Sequence, residues 1–267
     1  MTAKNTKALA VADDELMKQL EEGYAQEEGY KGIFFPRISM LSKDKTEETG
    51  KGKDKKIKVL AAAGEFSIER PTEEVGEDGK KIWAREELGT EFEGIIFYKR
   101  HQLRMFNEGS KSYVNSPIYD ADDEVIPLFE NKKEIERGTP KELQDKYMIT
   151  NKKGKKVSSL EKNRILYVLY KGEVFQMQLR GSSLWALSDY ERGVVSPTVV
   201  TKFSSEEAEN GDVTWQKMTF KAVRKVTTEE AKKIIELKNT MNTAIAASKA
   251  TFADAKALPA GKDEDDF

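Results

Sequence analysis

Hydrophobic residues recur along this chain at two different periods, and each change of period marks an element. Leu9, Leu16, Met17 and Leu20 stand at roughly helical spacing around Asp13 and Asp14, which predicts a short amphipathic helix over Leu9 to Leu20. Gly23, Gly29 and Gly32 break it. The run Ile33 to Leu41 then reads as a strand with an edge or bulge at Pro36. Ser42 to Lys56, rich in Lys, Glu, Thr and Gly, has almost nothing to bury and predicts a loop. Ile57 to Ile68 predicts a strand, and Glu77-Asp78-Gly79-Lys80 supplies the turn of a hairpin. The longest strand signal is Glu91 to Phe106, followed by an apolar group at Val125 to Phe129. Pro140 to Tyr147 predicts a short helix, with Thr139 as its cap and Pro140 at the first helical position.

In the second half, Arg164 to Tyr170 and Glu173 to Arg180 flank Lys171-Gly172, a compact hairpin signal. Ser182 to Tyr190 predicts a helix laying Leu184, Trp185, Leu187 and Tyr190 on a sheet. Thr198 to Ser204 and Val213 to Val226 predict two more strands joined by a polar loop at Glu206 to Asp212. Thr227 or Thr228 then caps a helix to about Ala247, because Glu229 and Glu230 suit the positive end of the helix dipole. Ile234, Ile235, Leu237 and Met241 give that helix an apolar stripe. The elements add up to a β-rich α+β chain with no repeat of solenoid length.

Composition narrows the classes. At 267 residues, with 38% hydrophobic and 34% charged residues and a mean hydropathy of −0.67, the chain can bury a core and still carry polar ends. It contains no cysteine, which excludes disulfides, thiol catalysis and cysteine-ligated metals and fits a reducing cytoplasm. No stretch approaches the roughly 18 apolar residues of a membrane span. Charge is unevenly placed: seven carboxylates against three lysines in residues 1–28, four against one in residues 262–267, and a net positive stretch between. A basic body between acidic ends suits a polyanion that must also be released, and ordinary charge scatter gives the same counts.

Alternation then sorts the long strand, since successive side chains point to opposite faces. One face reads Ile96, Tyr98, Arg100, Gln102, Arg104 and Phe106, the other Phe97, Lys99, His101, Leu103 and Met105. Aromatic rings interleaved with guanidinium groups suit single-stranded nucleic acid, whose bases stack at roughly 1–3 kcal/mol each while arginine meets phosphate or a base. Val213 to Val226 divides similarly, with Trp215, Lys217, Thr219 and Lys221 opposite an apolar face of Met218, Phe220 and Ala222. An ordinary half-buried strand fits both patterns too, its basic side chains reaching water and its aromatics covering a neighbour. Tyr113, Tyr119, Tyr167, Tyr170 and Phe175 are further stacking candidates or core residues.

Enzymatic chemistry finds little support. The single histidine, His101, lies within a strand and outside any catalytic motif. Asp120, Asp122, Asp123 and Glu124 could attract a divalent cation, but they lack the glycine and terminal glutamate of a calcium loop and read as a polar turn. Phosphate-loop, dinucleotide and nucleophile-elbow motifs are missing. No cofactor, metal or catalytic residue is expected.

The chain ends in Asp263-Glu264-Asp265-Asp266-Phe267 after an alanine-rich linker closing in Pro259-Ala260-Gly261. Four carboxylates and the chain terminus repel one another and keep such a tip extended. A terminal phenylalanine then offers a partner one apolar anchor, with acids for the basic rim of its pocket. This acidic ending in Phe resembles the C-termini of bacterial and bacteriophage single-stranded DNA-binding proteins, and lies closer to the phage type because Ile-Pro does not precede the Phe. The match covers the last five residues.

The resemblance implies an OB-like β-barrel with additional strands, and a tail that recruits replication or recombination proteins and competes with DNA for a basic groove. The expected division is an acidic extension over 1–28, a single-strand-binding domain over 29–250, and a flexible linker and tail over 251–267. Nucleic-acid contacts are expected at Tyr98, Arg100, Arg104, Phe106, Trp215, Lys217 and Lys221, and partner contacts at Asp263, Glu264, Asp265, Asp266 and Phe267. The expected function is to coat and protect single-stranded DNA, without strong sequence preference and without catalysis, in the cytoplasm or in a host's cytoplasm. The C-terminal helix packs on its own sheet or on a second copy, which leaves a homo-oligomer open. The alternative is a structural or assembly protein of a virion or multiprotein complex.

Overall fold

In the computed structural model, residues 35–49, 56–75, 81–151 and 154–257 are described. Nine strands come first: β1 (Arg37–Met40), β2 (Lys45–Thr49), β3 (Lys56–Ala61), β4 (Phe66–Val75), β5 (Lys81–Gly89), β6 (Glu91–Asn107), β7 (Ser112–Asn115), β8 (Ile126–Glu130) and β9 (Lys133–Gly138). Helix α1 (Pro140–Lys146), β10 (Met148–Thr150), β11 (Lys156–Ser158), β12 (Glu161–Tyr170) and β13 (Glu173–Leu179) follow. Then come α2 (Gly181–Glu191), a 3-10 turn (Ser196–Thr198), β14 (Val199–Asn210), β15 (Val213–Lys225) and α3 (Thr228–Ala257). The expected helix over Leu9 to Leu20, Ile33 and Phe34, and the acidic tail lie outside the described residues.

The 17 residues of β6 organise the sheet. One edge pairs antiparallel with β12 from Ile95 to Arg104, while the other pairs with β14 over Glu91 to Gly94 and with β7 over Arg104 to Asn107. The main path runs β5-β4-β1-β13-β12-β6-β7-β8-β9, and β14 leaves β6 as a branch carrying β15. The chain is thus strand-rich with a C-terminal helix, as its periodicity predicts. Among the described residues no strand pair closes this path into a barrel.

Several boundaries differ from expectation for local reasons. Lys45–Thr49, expected in a loop, pairs with β3, because a two-stranded ribbon needs backbone hydrogen bonds rather than buried side chains and Thr46 and Thr49 favour extended backbone. The single strand expected over Ile57 to Ile68 is split at Ala63-Gly64. Gly64 takes φ +88° there, and its N–H donates to the Leu41 carbonyl. Glu206 to Asn210, expected in a loop, continues β14 up to the two-residue turn Gly211-Asp212, where Gly211 at φ +62° fits a tight hairpin.

Two core clusters lie on one face of the sheet, and beside Tyr98 and Arg100 the opposite face is buried as well, by Ile165, Tyr167 and Phe35. The first gathers Phe66, Phe92, Ile96, Leu166, Val168, Phe175, Met177, Phe203 and Met218 with Leu187 of α2. At its centre Phe92 stacks on Phe203 with ring centroids 4.6 Å apart and meets Phe66 edge-on at 5.2 Å. The second joins Leu103, Val114, Tyr119, Ile126, Leu128 and Leu160 to Leu143 of α1. Between Ile96 and Tyr98 the register against β12 shifts by one residue. This bulge turns Ile96 into the core opposite Tyr98, whereas simple alternation places the two on one face.

Helix starts follow their caps. Thr139 Oγ1 accepts from the Glu142 N–H while Glu142 Oε2 accepts from the Thr139 N–H, a reciprocal capping box. Thr227, rather than Thr228, plays the same part for α3: its Oγ1 accepts from the Glu230 N–H, and Glu230 Oε2 accepts from the Thr227 N–H at 2.7 Å. Arg224 also donates twice to Glu230. A second unit begins at Lys232, and there α3 buries Ile234, Met241 and Ile245 on one face while leaving Ile235 exposed.

Two outcomes test this packing. A Cβ added at Gly94, where β6 lies between β12 and β14, would stand 2.7 Å from Val168 Cγ1 and 3.2 Å from the Leu169 carbonyl oxygen. Gly94→Ala should lower the unfolding free energy by about 1–3 kcal/mol in urea titrations, and an unchanged midpoint would contradict the close crossing. The Arg224 guanidinium and the Thr227 N–H hold the Glu230 carboxyl down at about 2. A carboxylate depressed on folding stabilises above its ordinary value near 4.5 and loses that contribution as pH falls toward 2. Glu230→Gln should therefore be less stable at neutral pH, with the gap to wild type closing across that window.

Candidate nucleic-acid interface

Beyond the bulge, Tyr98, Arg100, Gln102, Arg104 and Phe106 alternate along β6 on the face opposite the two clusters. Their cross-strand partners on β12 are Tyr167, Ile165, Asn163 and Glu161, in that order from Tyr98 to Arg104, and Phe106 stands opposite Tyr113 of β7. The pleat thus brings the expected group onto one surface, but its two ends differ.

At the Tyr98 end the groups are turned inward. The Tyr98 ring is half-buried and lies 6.0 Å from the ring of Tyr167. Arg100 is buried and grips Asp120 with two hydrogen bonds, Nε to Oδ1 at 2.8 Å and Nη2 to Oδ2 at 3.3 Å. Burial pushes the Tyr167 hydroxyl up to about 12, so it stays neutral beside that pair. A guanidinium so paired fixes the loop bearing Asp120 and offers a ligand position rather than charge.

At the other end the surface opens. The Arg104 guanidinium lies 3.9 Å over the ring of Tyr113, and Phe106 meets the same ring edge-on at 5.1 Å. Tyr113 is 47% exposed and Phe106 44%. Arg104 Nε is buried without a hydrogen-bond partner, as is Asn163 Oδ1 two residues along the adjacent strand. Gln102 continues the polar floor, donating to the Ser116 carbonyl and accepting from Gln178. Tyr113 enters the group through the β6–β7 pairing, a long-range fact that its own short strand does not announce.

The second expected group stands elsewhere in the sheet, on β15, separated from β6 by β14. Trp215 is half-buried and donates through Nε1 to Ser182 Oγ of α2 at 2.8 Å. Lys217 pairs with Glu206 across the hairpin at 2.6 Å, and Lys221 is exposed. Trp185 of α2, expected against the sheet, is instead 72% exposed, because Ser183 and Leu187, four residues apart, take the buried side. Nothing in the local sequence separates Trp185 from Leu184 and Leu187.

Asp120, Asp122 and Asp123 bring carboxylate oxygens within 4.8 Å of one another. Asp120 is held by Arg100, and Asp123 accepts from the Asp120 N–H at 2.8 Å, so both acids work inside a polar turn. Asp263, Glu264, Asp265, Asp266 and Phe267 lie outside the described residues. Comparison of the chain with protein-family models, with curated proteins and with solved structures finds no match.

Asp120→Ala leaves the Arg100 guanidinium buried without its counter-charge. Unfolding should become easier by about 3–5 kcal/mol, read from denaturant midpoints, and a change well under that would mean Arg100 finds other partners.

Proposed function

We propose that the protein binds single-stranded DNA on the open face of β6, without strong sequence preference and without catalysis, and that its acidic tail recruits replication or recombination proteins. The observation that carries the reading is the group of Arg104, Tyr113 and Phe106: a guanidinium over one half-exposed ring, with a second half-exposed ring beside it, at the open end of the face opposite the two core clusters. Every base has a π-face, so such a surface takes bases of any sequence, and a flat guanidinium extends it while facing phosphate. The OB-like reading belongs to the same proposal, with the β6-centred part of the sheet as the platform.

The tail resembles those of single-stranded DNA-binding proteins, and its charge opposes that of the residues between the two acidic ends. It acts as a hook for partners and as a competitor for the basic surface. Lysine and arginine contacts make binding weaken with salt.

A labelled oligothymidylate should bind at low salt in fluorescence anisotropy. Phe106→Ala and Tyr113→Ala should each weaken binding by roughly 5- to 100-fold, the equivalent of losing one stacked base. Failure of the wild-type protein to bind at low salt sinks the proposal, and a preference for oligouridylate would move it to RNA. Deleting Asp263 to Phe267 should leave DNA affinity equal or higher while abolishing capture of replication proteins.

A further inference from the structure

On the core face of the same sheet, one row of side chains is polar. Strand register sets Leu179 of β13, Arg164 of β12 and His101 of β6 side by side, and a bridge between His101 and Tyr119 extends the row. The row joins the two apolar clusters: Leu179 and, along β12, Leu166 belong to the first, Tyr119 and, just before β12, Leu160 to the second, and along β6 Ile96 and Leu103 divide in the same way. His101 is 6% exposed and Tyr119 3%, with rings 5.6 Å apart and tilted by 30°.

Three polar atoms in this row, His101 Nδ1, Tyr119 Oη and Arg164 Nε, are buried with no hydrogen-bond partner. Buried polar groups are nearly always paired, so three together in one row ask for a ligand with several acceptors. Lys162 stands on the same face of β12 two residues from Arg164 and reaches solvent. The neighbouring acids are engaged: Asp120 by Arg100, Glu191 at the end of α2 by Lys99, and Asp123 by the Asp120 N–H. Arg164 and Lys162 have no ion pair among the described residues. Among the described residues the charge at Arg164 and Lys162 is therefore net positive.

We propose that Tyr119, His101, Arg164 and Lys162 form a binding site for a phosphate group. A tetrahedral oxyanion presents acceptors in several directions at once, which suits a hydroxyl, a guanidinium N–H and an imidazole carried side by side by a loop and two neighbouring strands, with exposed Lys162 next along the strand. The site lies across the sheet from Arg104 and Tyr113, so it stands without the nucleic-acid reading. Its phosphate is free or belongs to a strand whose backbone reaches this face.

The histidine reports on occupancy. Burial first, then Arg164 and Lys162, with Lys99 adding to them and Asp120 opposing, hold His101 down at about 4. It is neutral at pH 7. A bound anion reverses the local field, favours the imidazolium and lets Nδ1 donate, so the histidine takes up a proton on binding and its contribution to affinity grows as pH falls through the bound midpoint toward about 4.

His101 is the only histidine in the chain, so its ring protons can be followed by NMR in the full-length protein without competing signals. The titration is run at constant ionic strength in chloride, in inorganic phosphate, and with oligothymidylate. Phosphate should move the midpoint from about 4 to about 5 or above. Lys162→Gln and Arg164→Gln should each raise the midpoint in chloride, because each removes a charge that holds it down, and shrink the difference between phosphate and chloride. Lys162 is at the surface, so its variant keeps the test open if Arg164→Gln does not fold. A shift with oligothymidylate identifies the phosphate of a strand, and a shift with inorganic phosphate alone identifies free phosphate or a mononucleotide. A midpoint unmoved by either addition, or moved equally in folded Lys162→Gln, overturns the site. Absence of DNA binding with the phosphate shift intact would sink only the preceding proposal.

Discussion

A single extra residue in β6 decides what each surface of the sheet can do. At Phe97 the strand advances by one position relative to β12, so Ile96 and Tyr98 fall on opposite sides. Upstream, even-numbered side chains such as Phe92 and Ile96 enter the core, and downstream the core receives odd-numbered ones, Leu103 and Met105. Without the bulge, Arg100, Arg104 and Phe106 would be carried to the core side. A strand this long pairs with different partners at its two ends, and the bulge lets each end keep its own register.

The loop after β7 couples the two faces. Tyr119 turns toward His101 on the core side while the next residue, Asp120, reaches through to Arg100 on the other. Ser116 anchors the loop, its Oγ accepting from the Leu103 N–H at 2.8 Å and donating to the Pro117 carbonyl. Arg100 is thereby more structural than its place in the interleaved pattern suggests, and the aromatic group around Arg104 sits at the end of the strand that this loop leaves open.

Much of this was legible in the sequence because it rests on local rules. The cap at Thr139, the hairpin at Lys171-Gly172 and the extent of β6 each follow from a few adjacent residues. Of the apolar face that period two alone predicts on β15, Met218 and Phe220 reach the core, while Ala222 is exposed. What stayed hidden depends on pairing between distant segments. The bulge exists only relative to β12, the Asp120 partner of Arg100 lies 20 residues away, and Tyr113 becomes a neighbour of Arg104 only through β7. Trp185 was misplaced because a short helix with three large apolar residues in a row of four has no single obvious inner side.

The junction of α2 with β15 has a consequence for association. Among the described residues β15 pairs only with β14, so its outer edge presents backbone donors and acceptors that another strand could adopt. Ser183 occupies the Met218 N–H at that edge, and Ser182 holds the Trp215 indole beside it. A strand arriving there would have to displace a helix end before its first hydrogen bond formed. The helix thus acts as a guard rail, and the hairpin is shielded against edge-to-edge growth at the point where it carries its largest side chain.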